Sequence, residues 1–79
     1  MRRVAVITGG ASGIGAACAE ILAKENDVVI VDRNEAQGQA LAPAINAHFI
    51  QADLSKREDC KSIIEETVKK FGAFDILVN

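Results

Sequence analysis

A cluster of glycines near the start of the chain limits the possible folds more than any other feature of the sequence. Four of the six glycines fall within residues 9–15, in the stretch TGGASGIG that begins at Thr8. A glycine-rich turn between a strand and a helix can hold a diphosphate, because free backbone amides and the helix dipole point toward the anion. The sequence therefore predicts a strand, an anion-binding turn and a helix, in that order.

Short apolar runs alternate with helical patterns along the rest of the chain. The runs are rich in β-branched residues and lack alternation, as is typical of strands covered on both faces of a parallel sheet. We predict strands at Val4–Thr8 and at residues 28–31, 49–52 and 74–78. The first run is shorter than the apolar core of a signal peptide, so we interpret it as part of the fold.

Three helices are predicted between these strands. The first ends near Lys24 or Glu25. Its predicted buried face consists of Ile14, Ala17, Cys18, Ile21 and Leu22. The second lies within the segment 34–47 and ends or bends at Pro43, because proline removes a helical hydrogen bond; Gly38 also argues against a regular helix there.

The third helix has the clearest pattern. Ser55 is expected to cap it, with Glu58 reaching back to the amide of the cap, and Gly72 is expected to end it. Its predicted buried stripe consists of Cys60, Ile63, Ile64, Thr67, Val68 and Phe71.

These elements predict the α/β class: a partial Rossmann, or doubly wound, parallel sheet with four strands in the order 3-2-1-4 and three helices. Residues 1–79 would form the N-terminal part of one such domain. The first two helices would lie on one face of the sheet and the third on the other. Cys18 and Cys60, interpreted as buried thiols, would then lie on opposite faces, too far apart for a disulfide.

Composition excludes several other classes of function. The net charge is −2, the basic residues form no tract, and the aromatic residues are three phenylalanines, so nucleic acid is not an expected partner. No segment approaches the roughly 20 apolar residues of a membrane span, and we expect a cytoplasmic protein. His48 has no partner at metal-ligand spacing, and no metal site is predicted.

The glycine spacing also argues against a nucleoside triphosphate site. Gly10 and Gly15 have the separation found in a phosphate-binding loop, but Ala16 and Ala17 follow where lysine and a hydroxyl residue are required. The strict G-x-G-x-x-G fingerprint is absent as well. Asp32, at the end of the second predicted strand, is placed to accept hydrogen bonds from a ribose, which favours a dinucleotide. A tight turn that needs glycine for steric reasons alone remains the alternative.

Four motifs in order resemble those of the short-chain dehydrogenase/reductase family. TGGASGIG resembles the family's TGxxxGxG signature. VDRN, ADLS and DILVN fall where the family has its second-strand acid, its adenine-side Asp and the start of its NNAG motif. The resemblance covers the whole chain, which is similar to the N-terminal part of such an enzyme and stops within the last motif.

The resemblance implies a set of cofactor contacts. These are Gly9, Ser12, Gly13, Ile14, Gly15, Asp32, Arg33, Asp53, Leu54 and Asn79. By resemblance, Asp32 selects NAD by binding the ribose hydroxyls, whereas Arg33 could pair with the extra phosphate of NADP. The glycine turn lacks the basic residue common in NADP-preferring members, so NAD is favoured over NADP. Asp53 would meet the adenine amino group, with a turn residue before Ser55 as the alternative.

The same resemblance implies an oxidoreductase that acts on alcohol or carbonyl groups with Ser, Tyr and Lys. The chain contains no tyrosine, so we expect it to be inactive alone. Two alternatives stay open: a stand-alone α/β fragment that binds nucleotide weakly or only self-assembles, and a nucleotide-sensing regulatory module. The fourth strand would be an edge, so self-association through residues 74–78, from Phe74 to Val78, is also expected.

Overall fold

A computed structural model of the chain describes residues 3–72 and 75–78. Strands and helices alternate along it. In chain order they are β1 (Val4–Thr8), α1 (Gly13–Leu22), β2 (Asp27–Asp32), α2 (Glu35–Ala44), β3 (His48–Gln51), α3 (Arg57–Phe71) and β4 (Ile76–Val78). The predicted α/β class is confirmed. No helix in the two described ranges is long and apolar enough to cross a membrane.

The strands form one parallel sheet in the order β3-β2-β1-β4. The strand β1 pairs with β2 from Val4 opposite Asp27 to Thr8 opposite Val31, and it pairs with β4 on its other side. At the start of this pairing Asp75 donates its amide to the carbonyl of Val4 at 2.9 Å and accepts the Val4 amide on Oδ2 at 3.1 Å. The carboxyl ends of β1 and β2 therefore meet at one edge of the sheet, where the glycine turn begins.

Alternate residues of the central strands face two separate apolar clusters. One cluster contains Ile7 and Ile30 and is covered by Ala19 of α1 and Ala42 of α2. The other contains Val6, Val29 and Val31 and is covered by Ile63 of α3. Burying an aliphatic side chain of this size contributes about 1.5–3 kcal/mol. As predicted, the first two helices lie on one face of the sheet and the third lies on the other.

The predicted buried face of α1 is only partly right: Leu22 packs, partly buried, against the cluster of Ile7, but the two isoleucines of this face do not. Ala19 is the buried residue of this helix, whereas Ile14 is 85% exposed and Ile21 is 66% exposed. The cause is the contact that Gly15 makes with the turn, since a Cβ on Gly15 would overlap the carbonyl oxygen of Gly9. With the helix this close to the turn, the small Ala19 takes the buried position, and Leu22 packs partly buried at the end of the helix. The helix also ends at Leu22, earlier than predicted.

The helix α2 contains the glycine that argued against it. The ring of Phe49 occupies the position that a side chain at Gly38 would take, so this glycine serves packing against β3. Asn34 caps the helix by accepting the amide of Gln37 on Oδ1 at 3.0 Å. Pro43 lies one residue before the end of the helix at Ala44, which confirms the predicted termination.

The predicted start of α3 is wrong. Its N-cap is Lys56, whose side chain makes no capping hydrogen bond. Ser55 instead donates its hydroxyl to Asp53 Oδ1 at 2.7 Å, and its amide, the predicted partner of Glu58, donates to the same oxygen at 3.0 Å. Asp59 accepts a different amide, that of Asp53, at 2.8 Å. The turn before the helix is therefore fixed by aspartates. At the other end Gly72 has a φ of 88° and ends the helix as predicted.

The buried stripe of α3 is narrower than predicted. Ile63 and Thr67 are buried, but Ile64 is 51% exposed and Val68 is 43% exposed. The cysteines also differ from the prediction, because both Cys18 and Cys60 are free and only half-buried. Part of the predicted fourth strand, including Phe74, lies outside the described residues.

Candidate functional site

The glycine turn is anchored to the end of β2. The amides of Gly9 and Gly10 both donate to the carbonyl oxygen of Val31, at 2.7 and 3.3 Å. The amide of Ala11 donates to Asp32 Oδ2 at 3.2 Å. Three consecutive amides of the turn are thus committed to the strand beside it, and they are not available to a ligand.

The amides that follow are arranged differently. The first helical hydrogen bond of α1 runs from the amide of Ala16 to the carbonyl of Ser12 at 3.2 Å. The amides of Gly13, Ile14 and Gly15 precede it, and an α-helix provides no internal acceptor for such groups. Within α1, which is described throughout, the first turn carries no acidic residue and the N-cap Ser12 makes no side-chain capping bond. This helix end can therefore bind an anion.

Two glycines shape this helix end for different reasons. Gly13 has a φ of 58°, in the left-handed region that residues with a Cβ adopt at a cost of about 1–2 kcal/mol. A Cβ at Gly13 would meet nothing within 4 Å, so the space beside this residue is open. Gly15 has an ordinary φ but lies directly against the carbonyl of Gly9. The first glycine sets the backbone direction, and the second permits the helix to approach the turn.

Asp32 holds three segments together at the carboxyl end of β2. Its Oδ2 accepts the Ala11 amide, and its Oδ1 accepts the Asn34 amide at 3.0 Å. Its backbone carbonyl accepts the amide of Ala52, after β3, at 3.1 Å. Asp32, which the sequence predicts to be a ribose ligand, therefore also connects three segments of the fold by hydrogen bonds.

Asp53 lies in the loop after β3, two residues beyond the end of the strand at Gln51. Its Oδ1 accepts both the hydroxyl of Ser55 at 2.7 Å and the amide of Ser55 at 3.0 Å. These bonds are the main reason that the pKa of Asp53 is lowered; Arg33 and Lys56 lower it further, while partial desolvation acts in the opposite direction. Asp53 thus makes the turn interaction with Ser55 that the sequence analysis gave as its alternative role. Its other carboxylate oxygen, Oδ2, remains for a ligand.

A cavity of about 340 Å³ lies between the turn and the ends of β2 and β3. Its lining residues are Gly9, Val31, Asp32, Arg33, Ala52, Asp53, Leu54 and Ser55. This volume is at the lower end of the range for small-molecule pockets. Five of the cofactor contacts predicted from the sequence therefore lie together around this cavity: Gly9, Asp32, Arg33, Asp53 and Leu54.

The remaining assigned residues lie elsewhere. Ser12, Gly13, Ile14 and Gly15 are at the N-terminus of α1 and do not line the cavity. Asn79 lies outside the described residues. Sequence reasoning missed Ala11, whose amide binds Asp32, because a backbone contact leaves no signal in residue type. It also missed the apolar floor of the cavity, Val31 and Ala52, which the strand pattern could have located.

A glycine turn and a strand-end carboxylate at the carboxyl edge of a parallel sheet define a Rossmann-type α/β unit. Helices on both faces of the sheet agree with that class. The chain belongs to the short chain dehydrogenase family, whose sequence profile matches residues 3–79.

The chain is similar to larger proteins of this kind over nearly all of its length. It is 45% identical over 80 residues to tropinone reductase-like 1 of Erythroxylum coca, an alignment that covers 98% of this chain and 29% of that protein. It is 34% identical over 79 residues to L-fucose dehydrogenase of Bos taurus, with coverage of 98% and 29%. The chain thus spans less than a third of the length of these relatives.

Solved structures agree with the fold. The 3-ketoacyl-(acyl-carrier-protein) reductase from Brucella melitensis, complexed with NADH, matches with a TM-score of 0.92 at 42% identity, over 95% of this chain and 32% of that chain. A short chain dehydrogenase from Mycobacterium smegmatis matches with a TM-score of 0.93 at 28% identity, over 99% of this chain and 36% of that chain.

Proposed function

We propose that the chain is the NAD(H)-binding segment of a short-chain dehydrogenase/reductase that acts on alcohol or carbonyl groups. The observation that carries this proposal is the position of Asp32, whose carboxylate lines the cavity and contacts the glycine turn at the same time. The likeness to a reductase complexed with NADH supports it. In this proposal residues 1–79, with their strand order 3-2-1-4, are the first part of a doubly wound dinucleotide-binding domain.

The residues present fit a dinucleotide. Amides of Gly13, Ile14 and Gly15 would bind the pyrophosphate, which can approach closely because Gly13 has no side chain and nothing stands in its place. Asp32 would accept the hydroxyls of the adenosine ribose. The open side of Gly13 and the absence of an acid in the first turn of α1 support this part of the proposal.

NAD is preferred to NADP in this proposal. The carboxylate of Asp32 would repel a 2′-phosphate at the ribose position. Arg33 lines the same cavity and opposes that preference, but the carboxylate of Asp53 shares the cavity with it and competes for its positive charge. Asp53 and the Leu54 backbone would meet the adenine, with the free oxygen of Asp53 accepting the amino group.

The bound nicotinamide would supply or accept a hydride, and the chain's own residues would bind the adenosine and pyrophosphate of the cofactor. Because the chain contains no tyrosine, the acid/base residue of the family, we propose that it binds cofactor without turnover on its own. The alternative is a non-catalytic α/β unit that binds nucleotide weakly or only self-assembles. We further propose that it resides in the cytoplasm and contacts neither nucleic acid nor membrane.

Self-association is proposed through the outer side of β4. Within the described residues this strand pairs only with β1, so its other side presents unpaired backbone groups. Val78 packs against the cluster beneath α1 and would extend that cluster across a paired copy. Light scattering across a concentration series tests the proposal: a rising mass supports it, and a constant monomer mass contradicts it. Proline has no backbone amide to donate to a neighbouring strand. A Leu77→Pro variant is therefore the control, and its mass should not rise with concentration.

Calorimetric titration of the chain with NAD, NADP and ADP-ribose tests the main proposal. We expect NAD and ADP-ribose to bind alike and NADP to bind at least about tenfold more weakly, a difference of about 1.4 kcal/mol. Asp32→Ala should weaken NAD and narrow its advantage over NADP. A folded chain that binds none of the three ligands would contradict the proposal and favour the non-catalytic alternative.

A further inference from the structure

We propose that Asp32 is a positioning residue for the anion-binding turn: its carboxylate holds the Ala11 amide and thereby fixes the helix end that would receive the pyrophosphate. The proposal concerns the geometry of the turn, and its consequence for ligands rests on the proposed function above. It assigns to one carboxylate both a ligand contact and control of a second ligand contact that lies far away in sequence.

The hydrogen bonds divide the turn into a held part and an open part. The amides of Gly9 and Gly10 are held by the Val31 carbonyl, and the amide of Ala11 is held by Asp32 Oδ2 at 3.2 Å. The open part begins at Ser12, the N-cap of α1. The bond from Ala11 to Asp32 is therefore the last tether before the open amides.

Ala11 is well placed to transmit this restraint. It is 9% exposed and belongs to the apolar cluster that also contains Ala19 of α1. Its amide is partly buried, so removal of the acceptor would leave a donor with reduced access to water, which is unfavourable. The turn would relieve this cost by moving, and the adjoining helix end would lose its fixed direction.

The carboxylate has enough acceptor capacity for both roles. An ionised carboxylate offers about four lone-pair sites. One on Oδ2 is taken by the Ala11 amide and one on Oδ1 by the Asn34 amide. The remaining site on each oxygen suits the two hydroxyls of a ribose. Ribose binding therefore does not require the tether to break, and both ends of an adenosine diphosphate can be held together.

Inorganic pyrophosphate separates this role from a simple ligand contact, because it has no ribose. If Asp32 acted only as a ribose ligand, Asp32→Ala would leave pyrophosphate affinity unchanged or raise it, since a nearby negative charge is removed. If Asp32 positions the turn, the same substitution lowers the affinity. The two accounts thus predict opposite signs.

The test compares three chains by amide hydrogen exchange and by pyrophosphate titration. In Asp32→Ala we expect exchange at the Ala11 amide to accelerate by about tenfold, the effect of losing one hydrogen bond, and pyrophosphate affinity to fall. Glu35→Gln is the charge control, because Glu35 is an exposed carboxylate in the first turn of α2. It should leave exchange at Ala11 unchanged.

A backbone ester at position 11 removes the donor without altering any charge. Such a chain can be assembled by ligation at Cys18 from two synthetic peptides. We expect it to lose pyrophosphate affinity as Asp32→Ala does. Unchanged exchange at Ala11 in Asp32→Ala, or undiminished pyrophosphate affinity in the ester chain, would overturn the proposal. If the unaltered chain binds no pyrophosphate but the Ala11 amide loses protection, the tether stands and the proposed function fails.

Discussion

Gly15 lies directly against the carbonyl group of Gly9, so that a Cβ at position 15 would occupy the space of the carbonyl oxygen. This contact joins the first turn of α1 to the end of β1. It sets how closely the helix approaches the sheet and which of its faces is turned inward. The open amides at the helix end owe their position to it.

Gly15→Ala should therefore destabilise the fold. The groups that an added methyl would meet are backbone atoms of Gly9 and Gly10, which cannot rotate away as a side chain could. Overpacking of this kind costs about 1–3 kcal/mol. Urea unfolding followed by circular dichroism measures the change. Ala17→Ser, at an exposed position of the same helix, is the control and should stay within about 0.5 kcal/mol. Equal stability of the two variants would show that the backbone at Gly9 leaves room for a methyl group at position 15.

Ile63 and Ile64 form a matched pair that tests the burial of α3. Ile63 is 6% exposed beneath the helix, whereas Ile64 is 51% exposed. Ile63→Ala should cost about 2–5 kcal/mol, because it leaves a cavity in the cluster. Ile64→Ala should cost far less, within about 1 kcal/mol, since about half of Ile64 stays exposed to water in the folded chain. The denaturant midpoints of the two variants measure the difference in stability. Similar losses of stability would mean that α3 turns a different face toward the sheet.

Thr67 is buried on the inner face of α3 with a hydroxyl oxygen that has no hydrogen-bond partner among the described residues. Thr67→Val replaces the hydroxyl with a methyl of similar size and should raise the free energy of unfolding by about 1 kcal/mol. Thr67→Ser keeps the hydroxyl and loses the methyl, so it should lower stability. Thermal unfolding of both variants provides the measurement. A destabilised Thr67→Val would mean that the hydroxyl is satisfied in solution.

His48 gives the fold a dependence on pH. Burial lowers the pKa of His48 from its ordinary value of 6.5; the positive charge of Lys70 lowers it further, and Glu66 acts in the opposite direction. The His48 ring also packs edge-on against Phe71, with 6.4 Å between ring centroids. The unfolded chain then takes up a proton more readily than the folded chain.

The contribution of His48 is therefore fully present above pH 6.5, the ordinary value, and is lost as the pH falls from there through the lower folded pKa. Unfolding free energies at several pH values between about 7.5 and 5 should show this decline. His48→Gln, which cannot titrate, should show a smaller slope over that interval. Identical slopes in the two chains would contradict the assignment.

The strands were the most predictable part of the fold. Unbroken β-branched runs such as that of β2 must be covered on both faces, and this demand leaves little choice of class or sheet type. The turn was predictable from Gly9, Gly13 and Gly15, and the acid beside it from its place after β2. These features depend on residue type and order, which the sequence displays.

Other features depend on tertiary contacts and could not be predicted. The rotation of α1 is set by Gly15 against the Gly9 carbonyl, a contact that the apolar spacing along the helix does not reveal. Ser55 had two possible partners, and it bonds to Asp53 and does not cap α3. The tether from Ala11 to Asp32 joins a backbone donor to a residue far away in sequence, which no local pattern reveals.

A nuclear magnetic resonance titration of the ¹⁵N-labelled chain with ADP-ribose tests the central claim most directly. The account predicts that the amide signals of Gly13, Ile14 and Gly15 shift most as the pyrophosphate binds, together with those at Asp32 and Arg33. The amides of Gly9 and Gly10, which are held by Val31, should shift less. A titration in which these signals stay fixed, or in which the shifts lie at the opposite edge of the sheet, would contradict the account.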